Sequence, residues 1–291
     1  MTKNNRRKRL PDWLKNKDLL QQGMHTTKNL LQGLDLNTVC QEARCPNIGE
    51  CYAKKTATFM ILGNNCTRNC KFCAVESAPP TEPDPEEPER ILAAVKRLKL
   101  KHVVITSVTR DDLPDGGAEQ FVKTIKKLRS YDDKLTIEIL TPDFQHQRKP
   151  LEKIIAARPD IFNHNIETVP ELYSEVRPEA NYQGSLQVLA TVANSPADIL
   201  TKSGLMLGLG ETEEQLYQVF RDLREVNCDI LTLGQYLQPT RANIAVREYI
   251  NPKKFQEYKE KALTYGFKAV AAGPHVRSSY LAEELSQNIT V

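Results

Sequence analysis

The sequence predicts an α/β protein whose main body is a partial or complete (β/α) barrel carrying N-terminal and C-terminal extensions, and three observations lead there. Short apolar runs alternate with amphipathic helical stretches across residues 57–272 without an evident linker, the rhythm of a parallel sheet with right-handed crossovers. Polar, glycine-bearing segments follow successive runs, at the strand ends where a barrel keeps its chemistry. Six of the seven cysteines fall between Cys40 and Cys73, and three of them come directly after the first apolar run.

Residues 1–36 form a basic N-terminal arm: within residues 1–20, Lys3, Arg6, Arg7, Lys8, Arg9, Lys15 and Lys17 face two acids, while the remainder holds 33 basic against 35 acidic side chains. Such an arm reads as a solvated terminus, anchored by Trp13 and Leu14, and not as a nucleic-acid surface. Residues 37–56 are cysteine-bearing and irregular. A buried strand is expected at 58–62, then a loop at 78–90 with five Pro and five acids, a connector and not a core element. It leads into a helix at 89–98, whose Ile91, Leu92, Val95 and Leu98 share one face.

Strands are expected next at 102–106, 135–140, 160–166, 199–207, 229–235 and 267–271, with helices at 118–129, 151–157, near Glu171, near Leu186, at 213–226 and at 253–265. Residues 273–291 form the C-terminal extension. The segments 106–112, 141–143, 163–167 and 208–211 are the polar loops at strand ends; each alone reads as a turn or cap, but together they mark the active face. No apolar run approaches the roughly 20 residues of a membrane helix. The opening MTKNNRRKRL lacks the apolar core of a secretory signal, so a cytoplasmic protein with reduced thiols is expected, with no membrane and no nucleic-acid partner.

Cys66-Thr-Arg-Asn-Cys70-Lys-Phe-Cys73 supplies three thiolates in one tight loop. A structural zinc site closes with four ligands, so an isolated triplet suits zinc poorly. A [4Fe-4S] cubane held by three thiolates keeps one iron open. Cys40, Cys45 and Cys51 form a second triplet ending shortly before the first, and two adjacent triplets argue for two clusters; one triplet lending a ligand to the other would strand thiols beside a redox centre. Cys228 stands alone and is expected to be a buried, inert thiol.

The Cys66–Cys73 spacing with Phe72 before the last cysteine, after a first barrel strand, resembles the radical S-adenosylmethionine (SAM) superfamily. Both triplets, together with the stretches 106–117 and 202–212 and Arg277-Ser-Ser-Tyr280, resemble the lipoyl synthase family over about residues 34–283. That resemblance implies a barrel of the radical SAM type and two [4Fe-4S] clusters. Cys66, Cys70 and Cys73 would hold the one that cleaves SAM; Cys40, Cys45, Cys51 and Ser279 would hold an auxiliary one that is consumed as the sulfur donor. The implied reaction inserts two sulfur atoms at C6 and C8 of an octanoyl chain on a carrier-protein lysine. Implied partners are the glycine cleavage H protein, lipoyl domains of 2-oxoacid dehydrogenases, and an electron donor such as ferredoxin or flavodoxin.

For SAM, Phe72 is expected near the adenine, Asn165 and Glu167 near the ribose, and Arg177 near the methionyl carboxylate, where a guanidinium offers a planar fork. A two-cluster electron carrier and a sulfur-inserting enzyme resembling biotin synthase are the alternatives. The long barrel with polar strand ends speaks against the first. The second leaves the early triplet and Ser279 without a shared purpose.

Overall fold

Mainly apolar runs of three to eight residues, buried on both faces, make strands that helices must cover. The computed structural model describes residues 9–15, 23–280, 282–287 and 289; residues 1–8 and 16–22 of the basic arm, with Lys3, Arg6, Arg7, Lys8 and Lys17, lie outside the described residues. The strands are β1 (Thr58–Ile61), β2 (Asn65–Cys66), β3 (Glu76–Ser77), β4 (His102–Ser107), β5 (Thr136–Leu140), β6 (Ile161–Asn163), β7 (Leu200–Leu207), β8 (Ile230–Gln235) and β9 (Ala269–Gly273). The helices are α1 (Met24–Gly33), α2 (Val39–Glu42), α3 (Ile48–Ala53), α4 (Glu87–Leu98), α5 (Ala118–Tyr131), α6 (Arg148–Ala157), α7 (Tyr173–Val176), α8 (Tyr182–Ala193), α9 (Glu213–Glu225), α10 (Pro252–Thr264) and α11 (Ala282–Gln287).

Seven strands form one parallel sheet in the order β1-β4-β5-β6-β7-β8-β9, and β2 pairs with β3 apart from it. Among the described residues no ladder joins β9 back to β1, so the barrel is the partial one, an open arc. Local signals start the helices where the chain must turn: Thr212 and Gln215 form a reciprocal cap at α9, and Asn181 and Asn251 accept from the first turns of α8 and α10.

The missing side of the arc is covered by the two extensions. Thr38 pairs antiparallel with Phe59, and the Met60 amide donates to Asn37 at 2.9 Å. The segment expected to be irregular instead contains α2 and α3, tied to α1 where Thr27 Oγ1 donates to the Tyr52 carbonyl at 2.7 Å. Of the expected anchor pair, Leu14 is buried at 4% exposure but Trp13 is 41% exposed; a residue beside the turn of residues 12–14 has room for one side chain inward. At the end where the strands begin, Leu285 and Ile289 pack against Ile161, Ile230 and Ala269. The segment expected as a mere connector ends in the core: the buried Glu87 carboxylate accepts from the Leu62 amide at 3.1 Å and from Gln120 Nε2 at 2.9 Å.

Candidate active site

The loop after β1 carries Cys66, Cys70 and Cys73 and is held from several sides. The Thr67 amide donates to Thr109 O at 3.1 Å, Lys71 N to Val176 O at 3.0 Å, and Asn243 Nδ2 to Cys73 O at 2.7 Å. The Cys66 sulfur accepts from the Thr109 amide at 3.4 Å and the Cys73 sulfur from Val75 at 3.4 Å. Arg68, between the first two cysteines, reaches two strand ends at once: Nε and Nη2 donate to Asp111 at 2.6 and 2.9 Å, and Nη1 and Nη2 donate to Asp143, each at 2.7 Å. Arg68 is 8% exposed and Asp143 only 1%. Burial alone would raise the Asp143 carboxyl, but the Arg68 guanidinium outweighs it and brings the group down to about 2. Three consecutive left-handed residues, Phe144, Gln145 and His146, follow Asp143, backbone strain of the kind that gathers at functional sites.

On the facing side, Asn165 and Glu167 follow β6. Asn165 Nδ2 donates to Glu167 Oε1 at 3.0 Å, and Arg177 Nη1 donates to the Asn165 carbonyl at 3.0 Å. Burial pushes the Glu167 carboxyl up, with Arg177 opposing. Burial also raises the Cys70 thiol, with the charge of Arg177 opposing the rise and that of Glu167 adding to it. Phe72 packs with Val176, Leu209 and Tyr236. Neighbouring His164 is a satisfied core residue, pushed down to about 4 by burial and bonded to Thr141 O and Ser185 Oγ. Glu211 in the 208–211 loop likewise caps its own turn, accepting from the amides of Gly208, Leu209 and Gly210.

The second triplet lies on the segment that covers the open side. Cys40 sits in α2 and Cys51 in α3, with Cys45 between. Burial raises Cys40 to about 12 and Cys51 to about 11, and the three sulfurs act on one another. Thr58 opposes that rise at Cys40. Its hydroxyl donates to Ser279 Oγ at 2.7 Å, so one side chain of β1 stands between the serine of the terminal motif and this triplet. The strap of residues 274–280 is fixed nearby: Asn47 Nδ2 donates to His275 O at 2.6 Å, and Tyr280 OH donates to Glu50 at 3.1 Å.

Sequence reasoning missed Arg68, Asp111, Asp143, Thr58 and Ser278. A charge inside the cysteine loop and acids in strand-end loops were the available signals for the first three. Ser278 lies within the Arg277–Tyr280 motif, and nothing local marks Thr58.

Among the described residues no three His, Cys, Asp or Glu converge on a single metal ion. Six soft sulfur donors in two sets suit iron-sulfur cubanes, whose corner irons spread their thiolates farther apart than one ion does. After β6, Asn165 Oδ1 and Arg177 Nε are buried polar atoms without partners, as expected where a polar ligand is to be met. The donors present therefore fit two clusters and SAM, and iron must displace the thiol protons that burial holds in place. Among the described residues no helix is long and apolar enough to cross a membrane.

Residues 60–223 match the Radical SAM superfamily, and residues 1–45 match the N-terminal domain of lipoyl synthase of the radical SAM family. The chain is 53% identical to the lipoyl synthase of Caldanaerobacter subterraneus over 94% of its own length and 96% of the relative's. It is 52% identical to that of Caldicellulosiruptor saccharolyticus over 96% and 98%. In fold it is similar to methylornithine synthase (PylB), with a TM-score of 0.56 at 14% identity, covering 84% of this chain and 74% of that one. It is also similar to HydG, a maturase of the [FeFe]-hydrogenase, with a TM-score of 0.56 at 12% identity, covering 96% and 79%. With the arc of parallel strands, one cysteine triplet in the loop after its first strand and the other on the segment covering its open side, these likenesses show that the chain belongs to the lipoyl synthase family of radical SAM enzymes.

Proposed function

We propose that this enzyme inserts two sulfur atoms at C6 and C8 of an octanoyl group held in amide linkage on a carrier-protein lysine, and that the sulfur comes from the group held by Cys40, Cys45, Cys51 and Ser279. One observation carries the reading: Asn165 bonds both Glu167 and Ser278, and the next residue, Ser279, bonds Thr58 of β1, so the residues proposed for SAM and the strap proposed to complete the second triplet are tied together. On this reading the initiating and donating sites face one another across the strap. When bound, the cluster at Cys66, Cys70 and Cys73 supplies an electron to SAM through its open iron.

The protein's own groups bind and orient. Arg177 takes the methionyl carboxylate, Asn165 and Glu167 the ribose, and Phe72 the adenine. Apolar walls keep water from a carbon radical. Ser279 offers an oxygen where thiolate is the better match for iron, so that corner of the sulfur source is the first to be released. The substrates are octanoylated carriers, namely the glycine cleavage H protein and lipoyl domains of 2-oxoacid dehydrogenases. Ferredoxin or flavodoxin supplies the electrons, and the enzyme works in the cytoplasm.

The test is anaerobic incubation of the reconstituted protein with SAM, a reductant and an octanoyl-lysyl peptide. Peptide mass should rise by two sulfur atoms, with about eight irons bound per chain before reaction. An unchanged peptide, or an iron plateau near four, would remove the sulfur-donating site from the account.

A further inference from the structure

Ser278 stands one residue before the serine assigned to the sulfur source, yet its hydroxyl serves the other side of the cavity. Asn165 Nδ2 donates to Ser278 Oγ at 2.7 Å and to Glu167 Oε1 at 3.0 Å. A carboxamide has two amide hydrogens, so both are engaged. Its carbonyl oxygen, Oδ1, is buried and has no partner. The carboxamide is therefore fixed from its nitrogen end and presents an acceptor to a ligand hydroxyl.

Space for this junction comes from Gly204 in β7. A Cβ there would fall 2.5 Å from Thr232 Oγ1, 2.9 Å from Asn165 Oδ1 and 3.2 Å from Ser278 Oγ. On its other side the strap is pinned where Ser279 accepts from Thr58.

We propose that Ser278 is a positioning residue for SAM: it holds Asn165 so that Oδ1 accepts a ribose hydroxyl, and it thereby couples SAM binding to the seating of the strap that bears Ser279. The inference rests on the placement of SAM at Asn165 given above. Because binding couplings are reciprocal, a change at the strap must appear in SAM affinity, and SAM must in turn steady the strap.

The experiment measures the SAM dissociation constant by equilibrium dialysis, together with iron per chain, for anaerobically loaded unaltered protein, Ser278→Ala and Ser278→Thr. Losing one orienting hydrogen bond should weaken SAM binding about threefold to tenfold in Ser278→Ala, with both clusters' iron retained. Ser278→Thr keeps the hydroxyl and should bind nearly as the unaltered protein does. Unchanged affinity in Ser278→Ala overturns the proposal, as does an equal loss in both variants. Loss of half the iron with SAM affinity intact overturns it too, because Ser278 would then serve the sulfur source alone. An unaltered protein that does not bind SAM would instead sink the underlying placement, which keeps the two failures distinct.

Discussion

The two cysteine triplets are built in opposite ways. The Cys66–Cys73 loop is anchored to the sheet by backbone bonds and by Arg68, whose guanidinium spans two carboxylates on the ends of β4 and β5. The Cys40–Cys51 segment is two short helices laid along a free sheet edge, and the strap bearing Ser279, its proposed fourth donor, is secured by side-chain bonds of Thr58, Asn47, Tyr280 and Asn165. On the proposed function, the cofactor that survives many turnovers sits in the more heavily braced frame, and the reactant that is used up sits where the bracing is lightest. Rigidity here follows from how many strand ends reach the site, and the open side supplies none.

The largest effect that sharpens this contrast is at the ligands. Cys70→Ala should lower SAM cleavage by more than about a hundredfold, a loss at least as large as that caused by disturbing groups around a metal site. Cys45→Ala should leave cleavage within about threefold of normal while sulfur insertion stops. Parallel assays of 5′-deoxyadenosine and peptide mass decide it, and equal loss of both activities in both variants would break the division of labour.

Next comes Arg68→Ala, which leaves Asp143 charged, buried and unpaired. It should cost about 3–5 kcal/mol of stability in urea unfolding and remove iron from the first triplet before the second, as read by cluster-specific EPR. The smallest effect is expected at the strap. Tyr280→Phe removes one bond to Glu50 and should cost about 1 kcal/mol, showing as faster loss of iron from the second triplet and unchanged SAM cleavage. If Tyr280→Phe proved as damaging as Arg68→Ala, the contrast in rigidity would be wrong.

Much of this frame is legible in the sequence because it repeats. Strands such as Leu200–Leu207 and helices such as Glu213–Glu225 are long enough for a period to emerge, and Thr212 announces the start of its helix. The segment around Cys40 misleads because its helices have four and six residues, too few for a period. The cysteines themselves are legible by spacing. Their supports are not: Arg68 meets Asp111 and Asp143 from 43 and 75 residues away, and Thr58 meets Ser279 across 221. Such pairs exist only once the sheet has curved. Trp13 fails as an anchor for a similar reason, since which of two adjacent apolar side chains turns inward depends on the surface it lands on.

The arc that stops short of closure leaves a cylinder lacking one stave, and Cys40, Cys45 and Cys51 sit behind the gap. If they hold the proposed sulfur source, refilling it would require only that a handful of side-chain bonds let go of the terminal strap, while every strand ladder stays zipped. A sealed barrel would have to be taken apart to be recharged; a gapped one could be serviced from the side.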